Sequence, residues 1–265
     1  MTLADIAVAV GGSLHAASGD EAVSSVVADS REAVPGCLFV AIVGERVDGH
    51  DFASQAYAAG ATALLASRAV DGPTVVVDDP VAALGRLAAH VLAALRPTVV
   101  AVTGSSGKTS TKDLISQVVD PPVIAPVGSY NTEVGLPLTV LRCDEHTRTL
   151  VLEMGMRGIG HIRTLTQIAR PDIAVVTNVG TAHIELLGSR EAIATAKGEI
   201  VEALSPQGVA ILNADDERVR GMRERTAGRV VTYGLSSDAD VRAESVVLDD
   251  LARPGFVLSH ADEHS

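Results

Sequence analysis

From residue 98 onward, apolar runs uncut by polar alternation recur, each followed by a segment with helical periodicity. Strands are predicted at 98–102, 149–153, 172–177, 208–212 and 229–233, and helices at 109–119, 159–168, 189–203 and 215–225. Strands covered on both faces read as continuous apolar runs, so this alternation predicts a doubly wound, mostly parallel α/β sheet. Upstream the units are smaller. Val23 to Val27, Cys37 to Ile42, Ala63 to Ala66 and Thr74 to Val77 read as short strands, and Thr2 to Val10 and Phe52 to Ala59 as helices. Pro80 to Leu95 reads as a longer Ala/Leu helix, opened by Pro80 and closed by Arg96-Pro97. This change of style predicts a small α/β domain over 1–97 and a P-loop-type domain over 98–265. Asp240 to Leu248 and Gly255 to Ser259 read as strands of a peripheral sheet, followed by a tail, Ala261 to Ser265.

Composition narrows the core and the partners. With 47% hydrophobic but only 2% aromatic residues and no Trp, the core must be built from Ala, Val, Leu and Ile. A formal charge of −12 argues against nonspecific nucleic-acid binding, though not against a local basic pocket for a nucleotide. Cys37 and Cys143 lie far apart, fit no metal-ligand spacing and read as reduced thiols. There is no signal segment and no apolar run of membrane-spanning length, so a cytoplasmic protein without membrane insertion is expected.

The candidate chemistry gathers at strand ends. Thr103, Gly104, Ser105, Ser106, Gly107, Lys108, Thr109 and Ser110 join the strand at 98–102 to the next helix. Glycines let backbone N–H groups turn inward, the helix N-terminus adds partial positive charge, Lys108 adds a full one, and Thr109 offers Mg²⁺ a hydroxyl. The loop is short for a Walker pattern: only Ser105 and Ser106 separate the two glycines, and Val102 stands where a glycine would be usual.

In doubly wound sheets ligands bind at the carboxyl ends of strands, and the remaining unusual polar residues fall there. Glu153 ends the second strand, where a carboxylate needs a partner; Mg²⁺ is one reading and a turn cap the other. His183 closes Asn178-Val-Gly-Thr-Ala-His after the third, either as a functional group or a structural one. Asn213 and Asp216 follow the fourth, equally suited to contact a base or ribose or to cap a helix. Lys197, within a helix, and Asn131, in a turn, are not singled out by residue chemistry alone.

Taken together, Thr103 to Thr109, Asn131-Thr-Glu-Val-Gly135, Glu153-Met-Gly155, Asn178 through His183 and Ala196-Lys-Gly-Glu-Ile200 resemble the Mur ligase family, which builds the peptide of bacterial cell-wall precursors. The short phosphate loop is a trait of that family. Asp29-Ser-Arg31, Pro35 to Ala41 and Gly44 to His50 resemble its N-terminal UDP-binding domain. Glu153 to His161 and Ala182 to Gly188 look like the branch that adds D-Ala-D-Ala to UDP-MurNAc-tripeptide, and unlike the Ser-Ser-His and Asp-His-Leu patterns of its sibling branch.

The resemblance implies roles for single residues. Lys108 and the loop amides would hold ATP phosphates. Thr109 and Glu153 would ligate one Mg²⁺, His183 would help position a second, and Lys197 would be carbamylated by CO₂ into an anionic ligand for it. Lys108, His183 and Lys197 form the implied catalytic set. Asn131 would support the nucleotide–metal site, Asn213 and Asp216 would approach the adenosine, and Ser30, Arg31 and His50 are candidates for the UDP end. A surface salt bridge or turn cap remains the alternative for Arg31. ATP would convert the tripeptide carboxylate to an acyl phosphate, which the dipeptide amine then displaces. The family has three domains, so the expectation is a monomeric chain with an incomplete ATP-binding domain, no C-terminal domain and no activity alone. A non-catalytic nucleotide- and UDP-sugar-binding module is the alternative, as is another ligase of the superfamily, including the folylpolyglutamate synthase type.

Overall fold

The computed structural model describes residues 1–182 and 184–260. In chain order the elements begin with α1 (Leu3–Val10), β1 (Ser13–His15), β2 (Ser25–Val27), β3 (Cys37–Val40), α2 (Ala53–Ala58), β4 (Ala63–Ala66), β5 (Thr74–Val76) and α3 (Pro80–Leu95). Next come β6 (Thr98–Thr103), α4 (Lys108–Val118), β7 (Val123–Ile124), α5 (Gly135–Val140), β8 (Thr149–Glu153), α6 (His161–Ile168) and β9 (Ile173–Val176). The chain continues through α7 (Ile184–Leu187), α8 (Arg190–Glu202), β10 (Val209–Asn213), α9 (Glu217–Arg220), β11 (Arg229–Gly234), β12 (Val241–Leu248) and β13 (Pro254–His260).

Two compact units form. The first takes Met1–Pro97 together with Tyr130–Thr147, and the second takes Thr98–Ser129 and the chain from Arg148 on. In the first, β2 to β5 pair in parallel and β1 adds antiparallel to β5, in the order β1-β5-β4-β3-β2. Strand alternation splits its core. Leu38, Val40, Leu65 and Val75 face Leu3, Ile6 and Val10 of α1 and Leu84 and Leu87 of α3. Cys37, Phe39, Leu64 and Ala66 face Ala53 and Ala56 on the other side. The helix ends explain why these segments start and stop where they do. Thr2 and Asp5 form a reciprocal capping box on α1, Asp79 caps α3 ahead of Pro80, and Arg96 closes α3 in the left-handed region.

A single cut at Pro97 therefore does not describe the first unit. Segment 131–137 reads as a turn in the sequence, yet it enters α5, and Val134, Leu138 and Leu141 pack on the core beneath α3. A six-residue helix containing Gly135, Pro137 and Thr139 has little propensity of its own. Burial of Leu136 and Val140 supplies what propensity does not, and Pro137 lies in the first turn, where its missing N–H costs nothing.

The second unit holds an eight-stranded sheet in the order β13-β12-β11-β10-β9-β6-β8-β7. All neighbours are parallel except β12 and β13. The predicted peripheral strands thus extend this same sheet, β12 joining β11 through Tyr233 opposite Val241 and Gly234 opposite Arg242. After β6 the chain builds β7 and β8 on one side, then β9 to β11 on the other, which makes β6 and β9 the topological switch. Helix 215–225 is shortened to α9 followed by a 3-10 turn at Gly221–Arg225, since Gly221 weakens it. Among the described residues, no helix is long and apolar enough to cross a membrane. Both cysteines are free thiols.

Leu65 is fully buried on β4, whereas Val8 on α1 is 83% exposed. Leu65→Ala is expected to lower the unfolding free energy of the first unit by about 2–5 kcal/mol, and Val8→Ala to change it by under about 0.5. Urea melts of both variants check this; equal effects would contradict the placement of the core.

Candidate functional site

Register brings the strand ends together. Thr103 pairs opposite Val176 and Val102 opposite Glu153, so the loops after β6, β8 and β9 leave the sheet side by side. Gly104 is obligatory there, because a Cβ at this position would fall 1.8 Å from Thr177 Oγ1. The N-terminus of α4 carries Gly107 as its cap residue, with no side-chain cap. Its first-turn amides, which lack intrahelical partners, are thus left to an anion. Lys108 Nζ donates to Gly104 O at 3.0 Å, which keeps the ammonium at the same loop.

Thr109 Oγ1 donates to Glu153 Oε2 at 2.8 Å, and Glu153 is only 2% exposed. A hydroxyl and a buried carboxylate adjoining a helix N-terminus without a side-chain cap are hard oxygen donors of the kind Mg²⁺ takes. Among the described residues no group of three or more His, Cys, Asp or Glu forms a metal cage. A Mg²⁺ here would complete its shell with water and phosphate, as this ion commonly does. His183 lies outside the described residues.

Lys197 on α8 is 2% exposed, one of the largest fully buried side chains. Burial first, and then the positive charge of Lys108, push its amine down to about 7. The structure thereby brings Lys197 within electrostatic reach of Lys108, a proximity that residue chemistry alone did not suggest. The residues after it acquire reasons as well. The Arg225 guanidinium lies across Gly198, donating to Ala194 O and Thr195 O at 3.1 and 2.9 Å and to Glu202. Glu199, buried, accepts from the N–H groups of Gly160 and Arg163 at 2.6 and 2.9 Å and so caps α6. Sequence reasoning missed Arg225, Gly198 and Glu199 as a set. The signal was present in a glycine and a glutamate placed next to Lys197 in mid-helix.

The remaining candidates divide. Asn213 Nδ2 donates to Thr177 O, and Asp216 caps α9 through Oδ1 while its Oδ2 accepts from Val179 N–H at 2.7 Å. Both tie β10 to the β9 loop, and for Asp216 the capping geometry is realised. Asn131 falls in the first unit with α5. So do Ser30, whose hydroxyl donates to Gln55 Oε1 at 3.2 Å, Arg31 and His50. Arg31 is exposed and forked onto Asp29, whose carboxyl its side chain holds down at about 2; the salt-bridge reading is realised in the geometry. His50 is buried, its Nε2 accepting from Ser67 N–H and its Nδ1 therefore donating to Asp48. The His50 amide and ring, with Arg68, hold the Asp48 carboxyl well below the usual range. His50 thus fixes the loop before α2 from inside the protein.

A short glycine loop between a buried parallel strand and an uncapped helix, with a lysine, a Thr–Glu oxygen pair and a second, buried lysine, defines a phosphate-handling α/β protein. The profile of the Mur ligase middle domain matches residues 102–260, and that of the Mur ligase family catalytic domain matches residues 22–92. The chain belongs to the Mur ligase family. It is 45% identical to the UDP-N-acetylmuramoyl-tripeptide–D-alanyl-D-alanine ligase of Mycobacterium tuberculosis, over 99% of this chain and 58% of that protein. The Bacillus subtilis ligase of the same name is 40% identical, over 92% and 55%. Among solved structures, MurF from Acinetobacter baumannii superposes with a TM-score of 0.89 at 30% identity, covering 98% of this chain and 58% of that one. MurF from Thermotoga maritima in complex with ADP gives 0.81 at 34% identity, covering 91% and 56%. The chain thus spans a little over half the length of the curated relatives it matches.

Two consequences are measurable. An amine whose folded pKa lies below its unfolded value near 10.5 weakens the fold while both states are protonated. Its contribution improves as pH climbs from about 7 toward that value, because the unfolded chain then binds more protons. Lys197→Met is expected to raise the unfolding midpoint near pH 6 and to remove this rise; an unchanged pH profile would contradict the burial. Gly198→Ala places a Cβ 1.8 Å from Arg225 Nη1. It should destabilise the unsubstituted chain, yet stabilise Arg225→Ala by up to about 1 kcal/mol through helix propensity. A double-mutant cycle with equal effects in both backgrounds would refute the contact.

Proposed function

We propose that this chain carries the UDP-precursor-binding and ATP-binding parts of a ligase that joins D-Ala-D-Ala to UDP-MurNAc-tripeptide. The reading assigns the UDP end of the precursor to residues 1–97 and ATP to residues from 98 on. The observation that carries it is the Thr109–Glu153 oxygen pair beside the glycine loop that holds Lys108, with Lys197 buried within electrostatic reach of Lys108. Relatives bearing the name of this activity, at 40–45% identity, support the choice of substrates.

Chemically, a carboxylate is a poor electrophile and needs activation. The tripeptide carboxylate attacks the γ-phosphorus of ATP, giving an acyl phosphate and ADP. The dipeptide amine then attacks the acyl carbon, loses a proton and expels inorganic phosphate. Both steps crowd negative oxygens together, and fixed positive charge stabilises that crowding. Lys108 and the first-turn amides of α4 hold the polyphosphate. Thr109 and Glu153 would hold a Mg²⁺, which supplies charge neutralisation when bound. Lys197, whose amine burial and the Lys108 charge push down to about 7, has a substantial neutral fraction near pH 7 and is suited to attack CO₂, forming an N–C bond and releasing a proton to leave a carbamate. His183 would join it at a second cation. Ser30, half-buried with its hydroxyl on Gln55, would meet the precursor, while His50 acts by fixing its loop.

The test is phosphate release, assayed in this chain and in the polypeptide extended to the length of its relatives. In the extended form, release should require both UDP-MurNAc-tripeptide and D-Ala-D-Ala, and Lys108→Ala should lower it by about 100-fold or more. Release that ignores either substrate, or that survives loss of Lys108, would sink the proposal.

A further inference from the structure

The phosphate loop has only Ser105 and Ser106 between its glycines, where the longer pattern has four residues. Both of their amides are already engaged. Ser105 N–H donates to Asn178 O at 3.0 Å, and Ser106 N–H to Asn178 Oδ1 at 3.1 Å. Asn178 Nδ2 donates back to Ser106 O and Ser106 Oγ, each at 3.1 Å. The amide orientation is unambiguous, because one end meets an N–H that can only donate and the other a carbonyl that can only accept. Thr177 Oγ1 adds a bond to Ser106 O at 2.7 Å, and Gly180 N–H one to Ser105 Oγ at 2.8 Å.

These bonds run between neighbours by register, since β6 and β9 are paired as far as Thr103 and Val176. The loop after β9 thus grips the loop after β6 from the side. Ser106 is itself exposed, so water rather than packing would receive it if the grip were lost. The donors left for an anion are Lys108 Nζ and the amides at the start of α4.

We propose that Asn178 is a positioning residue of the nucleotide site, clasping Ser106 so that the shortened loop holds the start of α4 open to the phosphates of ATP. A longer loop can set its own curvature. This one borrows the constraint from the neighbouring strand end, and Asn178 acts through Ser106 without needing to touch the nucleotide. The inference rests on the ATP-binding reading above.

Asn178→Ala removes the side-chain clasp while keeping the backbone bond from Ser105. The loop must then be ordered when phosphate binds, and that ordering is charged against affinity. Dissociation constants for ATP, ADP and AMP, measured on the full chain, separate this from general damage. Asn178→Ala should bind ATP and ADP about tenfold more weakly and AMP within about twofold. Ser106→Ala, which keeps the N–H and C=O but loses the hydroxyl contacts to Asn178, should weaken ATP and ADP less than Asn178→Ala does. Hydrogen exchange without nucleotide supplies a second readout: the Ser106 amide should be protected in the unsubstituted chain and lose that protection in Asn178→Ala. Should Asn178→Ala fail to fold, Asn178→Ser, whose shorter side chain offers one hydroxyl in place of the separate Oδ1 acceptor and Nδ2 donor, decides by the same comparison. Unchanged ATP affinity, or an equal loss for AMP, would overturn the inference alone. If the unsubstituted chain binds none of the three, the ATP reading falls and takes this inference with it.

Discussion

Parallel pairing of β6 with β9 is the constraint on which the second unit turns. It puts Gly104 against Thr177 so closely that no side chain fits, and it delivers Thr177 and Asn178 to the flank of a loop too short to hold itself. Pairing of β6 with β8 does the corresponding work for Glu153, setting it within a hydrogen bond of Thr109. The glycine loop with Lys108, the Thr109–Glu153 oxygen pair and the loop support therefore converge at the ends of adjacent strands without any segment reaching far. This is the physical content of a topological switch point: crossovers leave in opposite directions, and the strand ends between them remain accessible.

Helix α8 shows how one helix serves the site and the scaffold together. Lys197 is buried toward Lys108, Gly198 makes room for Arg225, and Glu199 caps α6. Each demand falls on a different direction around the helix, so three consecutive residues have three unrelated partners. A mid-helix glycine costs about 1 kcal/mol against alanine, and here it admits a guanidinium that bonds two carbonyls and Glu202. Burying an amine without neutralising it would also be costly, and the depressed pKa is the form that this cost takes.

The first unit resolves its polar residues differently. His50, Asp48, Arg68 and Ser67 form a closed set of hydrogen bonds, and Arg31 is matched by Asp29. Side chains that look available in a linear motif are therefore partly committed within the fold. Ser30, with one bond to Gln55, is less so.

Much of this was legible in the chain itself. Apolar runs located β6, β8, β9, β10 and β11 to within a residue or two, and β6, β8 and β9 are buried almost throughout, which leaves little room for polar positions. Proline at the start of α3 and an apolar strand followed by Gly-Ser-Ser-Gly-Lys-Thr are likewise local signals with local causes. What stayed illegible depended on partners distant in sequence. Helix α5 forms only because a core in another part of the chain buries Leu136 and Val140, so segment 130–147 joins a unit that its place in the sequence does not suggest. Asp216 could cap or bind by residue type alone, and the approach of Val179 N–H brought out its scaffold role. Lys197 was an ordinary helical lysine until folding buried it beside Lys108, because desolvation and charge proximity are properties of the packed interior and not of the residue.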